Sequence, residues 1–278
     1  MLACPVCQQA LTLDQKTYRC PANHCFDMAK QGYTNLLLAQ HKKSKDPGDN
    51  KDMVLARQSY LHGGHYQPIL DGVISMLPSQ PIEQLMDCGC GEGWYTRGLA
   101  QAIANQQPTA PQVYALDISR PAIQAAAKPK QANLHWLVAS ITRPPIQPNS
   151  LDLITVIFCR DDFVAWRPLL KEGGVIISVN PGQDHLQELR QMIYREPKAH
   201  DENAQLNRIN GELWQIETHR VKQVITLDQQ ALQNLLLMTP YYWSASEEVK
   251  QALAEKMSMD LTIDVLVRRF KLASSINA

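Results

Sequence analysis

The chain has 278 residues, which is enough for one large domain and a small additional module. Its 27 basic and 27 acidic residues give a formal net charge of zero, which excludes a globally basic protein but not a local basic patch. No run approaches the roughly 18 apolar residues of a membrane-spanning helix, and the first residues lack the features of a signal peptide. We therefore expect a cytoplasmic protein with no membrane partner.

Four of the seven cysteines lie between Met1 and Cys25, at spacings typical of metal ligands. Cys4 and Cys7 are separated by two residues, and Cys20 is followed closely by His24 and Cys25. Two such pairs in facing turns can complete a tetrahedral zinc site, and four protein ligands indicate structural rather than catalytic zinc. A set of buried, reduced cysteines is the alternative, but this spacing argues against it. His24 and Cys25 both remain candidates for the fourth ligand.

The order of predicted elements beyond His65 is typical of a parallel α/β sheet. Short apolar runs alternate with helical segments, which is the pattern of βαβ units. Strands are predicted at 84–88, 113–117, 134–139, 151–158, 175–179, 221–227 and 261–267. Helices are predicted at 51–61, 67–77, 95–105, 121–127, 183–195, 228–237 and 246–258. We divide the chain into a zinc module (1–35), a connector (36–65) and an α/β domain (66–278), whose ligand should lie beyond the carboxyl ends of the strands.

A glycine-rich loop follows the first predicted strand of this domain. Gly89, Gly91 and Gly93 alternate with other residues, and Asp87 stands two positions before the first glycine. A pyrophosphate disfavours an adjacent carboxylate, whereas the ammonium group of a methionine moiety tolerates one. The loop therefore fits S-adenosylmethionine better than a nicotinamide dinucleotide, whose usual spacing is Gly-x-Gly-x-x-Gly. Cys88 and Cys90, within the loop, are interpreted as small packing residues.

A second acid, Asp117, ends the next predicted strand after the glycine loop. A carboxylate at this position can accept hydrogen bonds from both hydroxyls of a ribose. The alternative is an ordinary strand-terminal or helix-capping aspartate. Because Asp117 occurs together with the glycine loop, we favour the cofactor interpretation.

These motifs resemble those of the RlmA family, the bacterial 23S rRNA guanine-N1 methyltransferases. The resemblance covers most of the chain and also involves the segments 26–37, 46–49, 56–57, 64–68 and 238–240. It implies a Rossmann-like, seven-stranded class I S-adenosylmethionine-dependent methyltransferase domain with a small N-terminal zinc-binding module. The implied reaction is methyl transfer to N1 of one guanine, 745 or 748, in a hairpin of 23S rRNA. The family also implies a homodimer whose zinc modules help to hold the RNA.

The resemblance assigns roles to individual residues. The implied zinc ligands are Cys4, Cys7, Cys20 and His24, which decides the fourth position in favour of His24. The implied cofactor contacts are Tyr66, Asp87, Gly89, Gly91, Gly93, Trp94, Asp117 and His185. Tyr66 could instead pack against a helix start, and His185 could be a capping residue.

The chain departs from the family after the fourth predicted strand, where the family usually has an Ala-Pro pair and residues 158–163 read Phe-Cys-Arg-Asp-Asp-Phe. A methylated base would dock near this loop. Asp161 and Asp162 are the candidate general bases, by position only, and Arg160 could stabilise negative charge on guanine O6. Solvated loop acids or a helix cap are the alternative. If both acids take part, replacing them with asparagine lowers turnover at least tenfold.

A basic cluster lies between the zinc module and the glycine loop and suggests contacts to RNA phosphates. Its members are Lys42, Lys43, Lys45 and Arg57. The alternative is a solvated charged surface. Three other function classes remain open: a methyltransferase with a different RNA or a small-molecule substrate, an RNA-binding protein without turnover, and, last, a nicotinamide enzyme.

Overall fold

The computed structural model describes residues 1–42, 44–209 and 214–272. The N-terminal region forms a three-stranded antiparallel sheet, in which the second strand is central. Its strands are β1 (Thr12–Asp14), β2 (Thr17–Arg19) and β3 (Cys25–Asp27). The next strand, β4 (Tyr33–Asn35), belongs to a different and larger sheet.

The rest of the chain alternates strands and helices, as the sequence predicts. The remaining strands are β5 (Gln84–Cys88), β6 (Gln112–Asp117), β7 (Leu134–Val138), β8 (Leu151–Ile157), β9 (Leu170–Pro181), β10 (Trp214–Asp228) and β11 (Ser258–Leu272). The helices are α1 (Lys51–His62), α2 (Gln67–Ser75), α3 (Trp94–Gln106), α4 (Arg120–Ala126), α5 (Phe163–Trp166), α6 (Gln187–Ile193), α7 (Gln229–Leu237), α8 (Tyr241–Ser244) and α9 (Glu247–Glu255). None of these described helices has the length and apolar character needed to cross a membrane.

The large sheet has the strand order β10-β11-β9-β8-β5-β6-β7-β4. The strands from β4 to β9 in this order run parallel, and β11 runs antiparallel to both of its neighbours. The parallel strands are nearly continuous apolar runs because helices cover both faces. The chain proceeds outward from β5 in both directions, so the topological switch point lies at the carboxyl end of β5. Ligands of open α/β sheets bind at such a point.

The sheet contains one strand more than the seven that the sequence predicts. The additional strand, β4, pairs in parallel with β7, so that Tyr33 lies opposite Trp136. The side-chain hydroxyl of Tyr33 accepts hydrogen bonds from Arg120 and Gln124. A segment predicted to belong to the zinc module therefore also extends the edge of the large sheet. The seven predicted strands are all present, and the class of fold is confirmed.

The N-terminal region also shares a hydrophobic core with the large sheet. Leu2, Leu11 and Tyr18 are buried in the same cluster as Met86 and Leu116. Main-chain hydrogen bonds join the two regions directly, from Ala3 N to Pro145 O and from Gln147 N to Met1 O. The boundaries at residues 35 and 65 stay predictions, and extensive contacts cross the first of them.

Side-chain caps fix the starts of several helices. Asn50, Ser119, Asp228 and Ser246 each accept a hydrogen bond from a main-chain N–H in the first turn of the helix that follows. The helix predicted at 183–195 is shorter than expected. It begins only at Gln187, because a turn ending at Leu186, with φ of +51°, precedes it.

Candidate functional site

Four metal-binding side chains meet in the N-terminal region. The ligand atoms of Cys4, Cys7, Cys20 and His24 all lie within 4.8 Å of one another. His24 Nδ1 is 3.5 Å from Cys4 Sγ and 3.4 Å from Cys20 Sγ, and the Sγ atoms of Cys7 and Cys20 are 3.6 Å apart. Zinc–sulfur bonds of about 2.3 Å place the ligands of a tetrahedral site about 3.8 Å apart, so the cluster fits zinc.

Two tight turns present these ligands. In the first, Gln8 N donates to Cys4 O, and in the second, Asn23 N donates to Cys20 O. Gln8, directly after Cys7, and Asn23, directly before His24, both have positive φ. Cys25, the competing candidate, is exposed, and its sulfur accepts a hydrogen bond from Arg19 at 2.9 Å. The geometry therefore favours His24.

A cleft of ≈ 230 Å³ lies at the switch point of the large sheet. Five of the eight predicted cofactor residues line it: Tyr66, Gly89, Gly91, Trp94 and Asp117. The other three, Asp87, Gly93 and His185, lie outside its lining. A larger groove of ≈ 580 Å³, beside Phe163 and Trp214, contains none of the predicted site residues.

The glycine loop forms one wall of the cleft with its backbone. Gly89 has φ of +73°, and a Cβ atom there would lie 2.6 Å from Cys159 Sγ. Gly93 has φ of +85°, and a Cβ there would lie 2.4 Å from the Trp136 ring. Gly89 thus keeps the loop close to the end of β8, and Gly93 lets α3 begin against Trp136. A cradle made of bare backbone suits close approach of a ligand.

Asp117 connects the end of β6 to this loop. One carboxylate oxygen accepts from Gly91 N at 2.9 Å, and the other accepts from Ser119 N at 2.7 Å. Burial raises the pKa of Asp117 above its usual value, although these two N–H donors oppose the shift. Asp117 is partly exposed and lines the cleft, and each carboxylate oxygen has further acceptor capacity beyond the one hydrogen bond that it receives. A carboxylate acceptor at this position fits the two hydroxyls of a ribose, which would donate to it.

Asp87 does not offer its carboxylate to the cleft. It is buried and accepts hydrogen bonds from the hydroxyls of Thr96, at 2.5 Å, and Thr155, at 2.8 Å. These bonds tie β5 to α3 and β8. The interpretation of Asp87 as a direct partner of the cofactor ammonium group is therefore not supported, and Asp87 instead braces the loop. Cys88 and Cys90 are buried packing residues, as expected.

His185 packs behind the cleft. Its ring stacks on Phe158 with centroids 5.5 Å apart, and its Nδ1 accepts a hydrogen bond from Asp264 N at 3.3 Å. Burial lowers the pKa of His185 to about 3, so the imidazole is neutral at ordinary pH. His185 therefore supports the cleft wall through Phe158 instead of lining the cleft itself.

The low pKa of His185 predicts a pH dependence of stability. Between pH 6.5 and about 3 the unfolded chain binds a proton at this histidine and the folded chain does not. The free energy of unfolding should therefore fall with acidification by about 1.4 kcal/mol per pH unit from this group alone. His185→Asn keeps an acceptor for Asp264 N and removes the titration. Between pH 6 and pH 5, urea unfolding should show a smaller decrease in the free energy of unfolding for His185→Asn than for the unsubstituted protein. An equal decrease in both proteins would show that His185 does not cause this pH dependence.

The two candidate bases have other partners. Asp161 is buried, and it accepts hydrogen bonds from Arg208 at 2.9 Å and Gln205 at 3.1 Å. Asp162 caps α5 by accepting from Ala165 N at 3.1 Å. Neither lines the cleft, and Arg160 does not line it either. The hypothesis that Asp161 or Asp162 acts as general base does not fit this arrangement. A helix cap, the alternative considered for these acids, describes Asp162.

The capping role of Asp162 gives a prediction that differs from catalysis. Asparagine caps helices about as well as aspartate, so Asp162→Asn should leave methyl transfer within about twofold of the unsubstituted protein. Asp162→Ala should lower the free energy of unfolding by about 1 kcal/mol, because the cap is lost. Turnover and urea unfolding of both variants test this. A tenfold loss of turnover in the asparagine variant would restore the catalytic hypothesis.

The connector supplies cleft residues that were not predicted as cofactor contacts. Asp49 and Arg57 form an ion pair at 2.7 Å, and Arg57 also donates to Met238 O at 2.9 Å. Asp49 O accepts from the Ser119 hydroxyl at 2.7 Å. Arg57 was predicted to contact RNA phosphates, but it is bound to Asp49 at the cleft wall. The segments 46–49, 56–57 and 238–240 had been noted for their resemblance to the family, and this was the sequence signal that could have placed these residues at the cleft.

The remaining members of the basic cluster are placed as follows. Lys42 and Lys45 are exposed, and Lys43 lies outside the described residues. Near them, Arg143 Nη1 is 2.8 Å from His41 Nε2, in a groove between the zinc module and the sheet. This surface is polar and basic, and its contact with RNA stays a prediction.

Comparisons with known proteins agree with this geometry. Residues 2–45 match the family model described as "RlmA, N-terminal", a zinc ribbon, and residues 85–174 match a methyltransferase domain. The chain is 30% identical over 274 residues to a Bacillus subtilis protein named "Putative 23S rRNA (guanine-N(1)-)-methyltransferase YxjB", covering 95% of each chain. The chain belongs to the 23S rRNA (guanine-N1)-methyltransferase family. The predicted family and enzyme class are thereby confirmed.

One further relative and one solved structure can be compared with the chain. The 23S rRNA (guanine(748)-N(1))-methyltransferase of Streptomyces fradiae is 26% identical over 260 residues, covering 91% of this chain and 90% of that protein. The crystal structure of the YcgJ protein of Bacillus subtilis superposes with a TM-score of 0.51 at 13% identity, covering 76% of this chain and all of that one. The structural likeness supports the fold, and the membership in the 23S rRNA (guanine-N1)-methyltransferase family rests on the sequence relatives.

Proposed function

We propose that this protein transfers a methyl group from S-adenosylmethionine to N1 of one guanine in a hairpin of 23S rRNA. The observation that carries the proposal is the match over 95% of the chain to a relative named for this reaction. The combination of a Cys3His cluster with a glycine-loop cleft supports it independently. The bound cofactor supplies an electrophilic methyl group on a sulfonium.

The described residues divide the work at the cleft. Gly89 and Gly91 give the cofactor a backbone cradle, and Asp117 accepts hydrogen bonds from its ribose. Tyr66 and Trp94 enclose it from the helical side. Asp87, Gly93 and His185 hold these groups in place without lining the cleft. Methyl transfer from a sulfonium is an in-line displacement, which requires that the reacting groups are aligned and that water is excluded. The arrangement of these residues provides both.

The N-terminal module serves a structural and recognition role in this proposal. Cys4, Cys7, Cys20 and His24 hold structural zinc, and the set leaves no position for a reactive water. The exposed lysines of the connector contact RNA phosphates, in a manner that weakens with salt. We also propose a cytoplasmic location and a homodimer. Light scattering after gel filtration tests the dimer, which predicts twice the chain mass of 31.3 kDa.

Transfer of labelled methyl groups to unmodified 23S rRNA tests the function. We expect one labelled guanine at N1, located by mass mapping, and much less label with the Asp117→Ala variant when the cofactor concentration is well below the weakened Kd of that variant. Mapping to guanine 745 or 748 decides between the two branches of the family. No label on rRNA or its fragments, with cofactor binding demonstrated, would reject the proposal in favour of a different RNA or a small-molecule substrate.

A further inference from the structure

Phe158 holds an unusual backbone conformation at the end of β8. Its φ is +52°, a region that bulky residues rarely adopt and that costs about 1–2 kcal/mol. Its N–H donates to Val179 O at 3.1 Å, which fixes the strand end. Phe158 is nevertheless 36% exposed and is one of the residues that line the cleft. An apolar ring held at an energetic cost on the wall of a ligand site suggests a function.

The ring is supported from behind by other aromatic side chains. The centroid of Phe158 is 5.5 Å from that of His185 and 5.9 Å from that of Tyr66. Tyr66 packs edge-on against Tyr60 at 4.9 Å. His185, Tyr66 and Tyr60 are all buried. The Phe158 ring therefore packs against buried aromatic side chains, while the residue also borders the cleft.

The strand order separates this ring from the ribose-binding acid. Asp117 ends β6 and Phe158 follows β8, and these strands flank β5 on opposite sides. The glycine loop, which follows β5, lies between them. With the ribose held at Asp117, the β8 side of the cleft is left for the group that receives the methyl.

We propose that Phe158 is the platform on which the target guanine stacks after it leaves the RNA helix. This inference rests on the proposed function. Enzymes that modify a base within RNA or DNA must hold it flat and unstacked in a pocket, commonly against an aromatic ring. Stacking on Phe158 fixes the plane of the base, so that its N1 edge can be aligned with the methyl group.

Substitutions at Phe158 separate the ring from the backbone strain. Phe158→Leu removes the aromatic face but keeps a bulky residue at positive φ, and Phe158→Tyr keeps the face. Phe158→Gly removes both the face and the strain. Base–aromatic stacking contributes about 1–3 kcal/mol, which corresponds to about a 5- to 150-fold effect. We expect kcat/KM for rRNA to fall within this range in the leucine and glycine variants and to be retained in the tyrosine variant.

A binding measurement gives a readout that does not depend on turnover. A hairpin carrying 2-aminopurine at the methylated position becomes fluorescent when the base leaves the helix, and stacking on an aromatic ring quenches it. With S-adenosylhomocysteine bound, the unsubstituted protein should give a weaker signal than Phe158→Leu at saturating protein. Trp243→Leu is the matched control, because Trp243 is 69% exposed and lies outside the cleft lining. It should leave kcat/KM within twofold.

Three results would overturn the inference. The first is equal kcat/KM and equal fluorescence for the unsubstituted protein and Phe158→Leu. The second is a loss of S-adenosylhomocysteine affinity above fivefold in Phe158→Leu, by calorimetry, since the ring would then belong to the cofactor site. The third is an unsubstituted protein that binds cofactor but labels no rRNA, which rejects the proposed function itself. In the first two cases the proposed function stands.

Discussion

Cys20→Ser is expected to abolish zinc binding and to destabilise the whole chain rather than the N-terminal module alone. The reason is the shared core, in which Cys4 and Cys20 are buried beside residues of the large sheet. Zinc supplies about 10 kcal/mol or more of apparent folding free energy to isolated zinc-binding peptides. Because β4 and the shared core also stabilise this module, we expect the free energy of unfolding of Cys20→Ser to fall by only about half that amount. The melting temperature should fall by about 10 °C in a chain of this size.

Cys25→Ser is the matched control for this experiment. Cys25 is exposed and stands outside the four-residue cluster, so its replacement should leave zinc content and melting temperature unchanged. Zinc content is measured by elemental analysis and unfolding by calorimetry. A Cys20→Ser protein that loses zinc but melts at the same temperature would show that the module unfolds independently. Loss of zinc in Cys25→Ser, with retention in a His24→Ala variant, would show that Cys25 is the ligand instead.

The same contacts determine what deletion of the module would do. Removing residues 1–30 would take Leu2 and Leu11 out of the hydrophobic cluster that also contains Met86 and Leu116. An inactive deletion variant would therefore not separate an rRNA methyltransferase from one with a small substrate. The position of the transferred label is the better discriminator.

Local patterns predicted most of the fold. The strands of the large sheet are short apolar runs, and the helices have period and caps that can be read from neighbouring positions in the sequence. The zinc cluster was equally accessible, since its ligands come in two close pairs. The strand β4 was not predicted, because a segment as short as Tyr33–Asn35 carries no periodicity and becomes a strand only by pairing with β7.

For the candidate site, the sequence predicted cleft residues that lie close together along the chain, and it missed cleft residues that come from distant segments. Arg57 lies on α1 and Asp49 just before it, both far upstream of the glycine loop in the sequence, yet both line the cleft. Asp161 was placed correctly after β8, but a position along the chain does not give the direction of a side chain. The left-handed turn at Phe158 brings Phe158 and Cys159 to the cleft and leaves Asp161 to bind Arg208.

Asp117→Ala is expected to weaken cofactor binding about a hundredfold. Each hydrogen bond from a hydroxyl to a carboxylate contributes about 1.5–3 kcal/mol, and loss of about 3 kcal/mol in total lowers affinity by about two orders of magnitude. The variant also leaves Gly91 N and Ser119 N without their acceptor. Calorimetric titration with S-adenosylhomocysteine measures the change. Asp71→Asn, on the exposed side of α2, is the control and should bind as the unsubstituted protein does.

The pKa of Asp117 adds a test of the same assignment by pH. Burial raises this pKa in the folded protein, so protonation begins at a higher pH than for an ordinary aspartate. A protonated carboxyl cannot accept from Gly91, Ser119 and two ribose hydroxyls together. Affinity for S-adenosylhomocysteine should therefore be highest at neutral pH and fall as acidification passes through the raised pKa. Asparagine at position 117 cannot titrate, so the affinity of Asp117→Asn for S-adenosylhomocysteine should be weaker but should not fall in this way on acidification. An identical fall in both proteins would mean that a group other than Asp117 titrates.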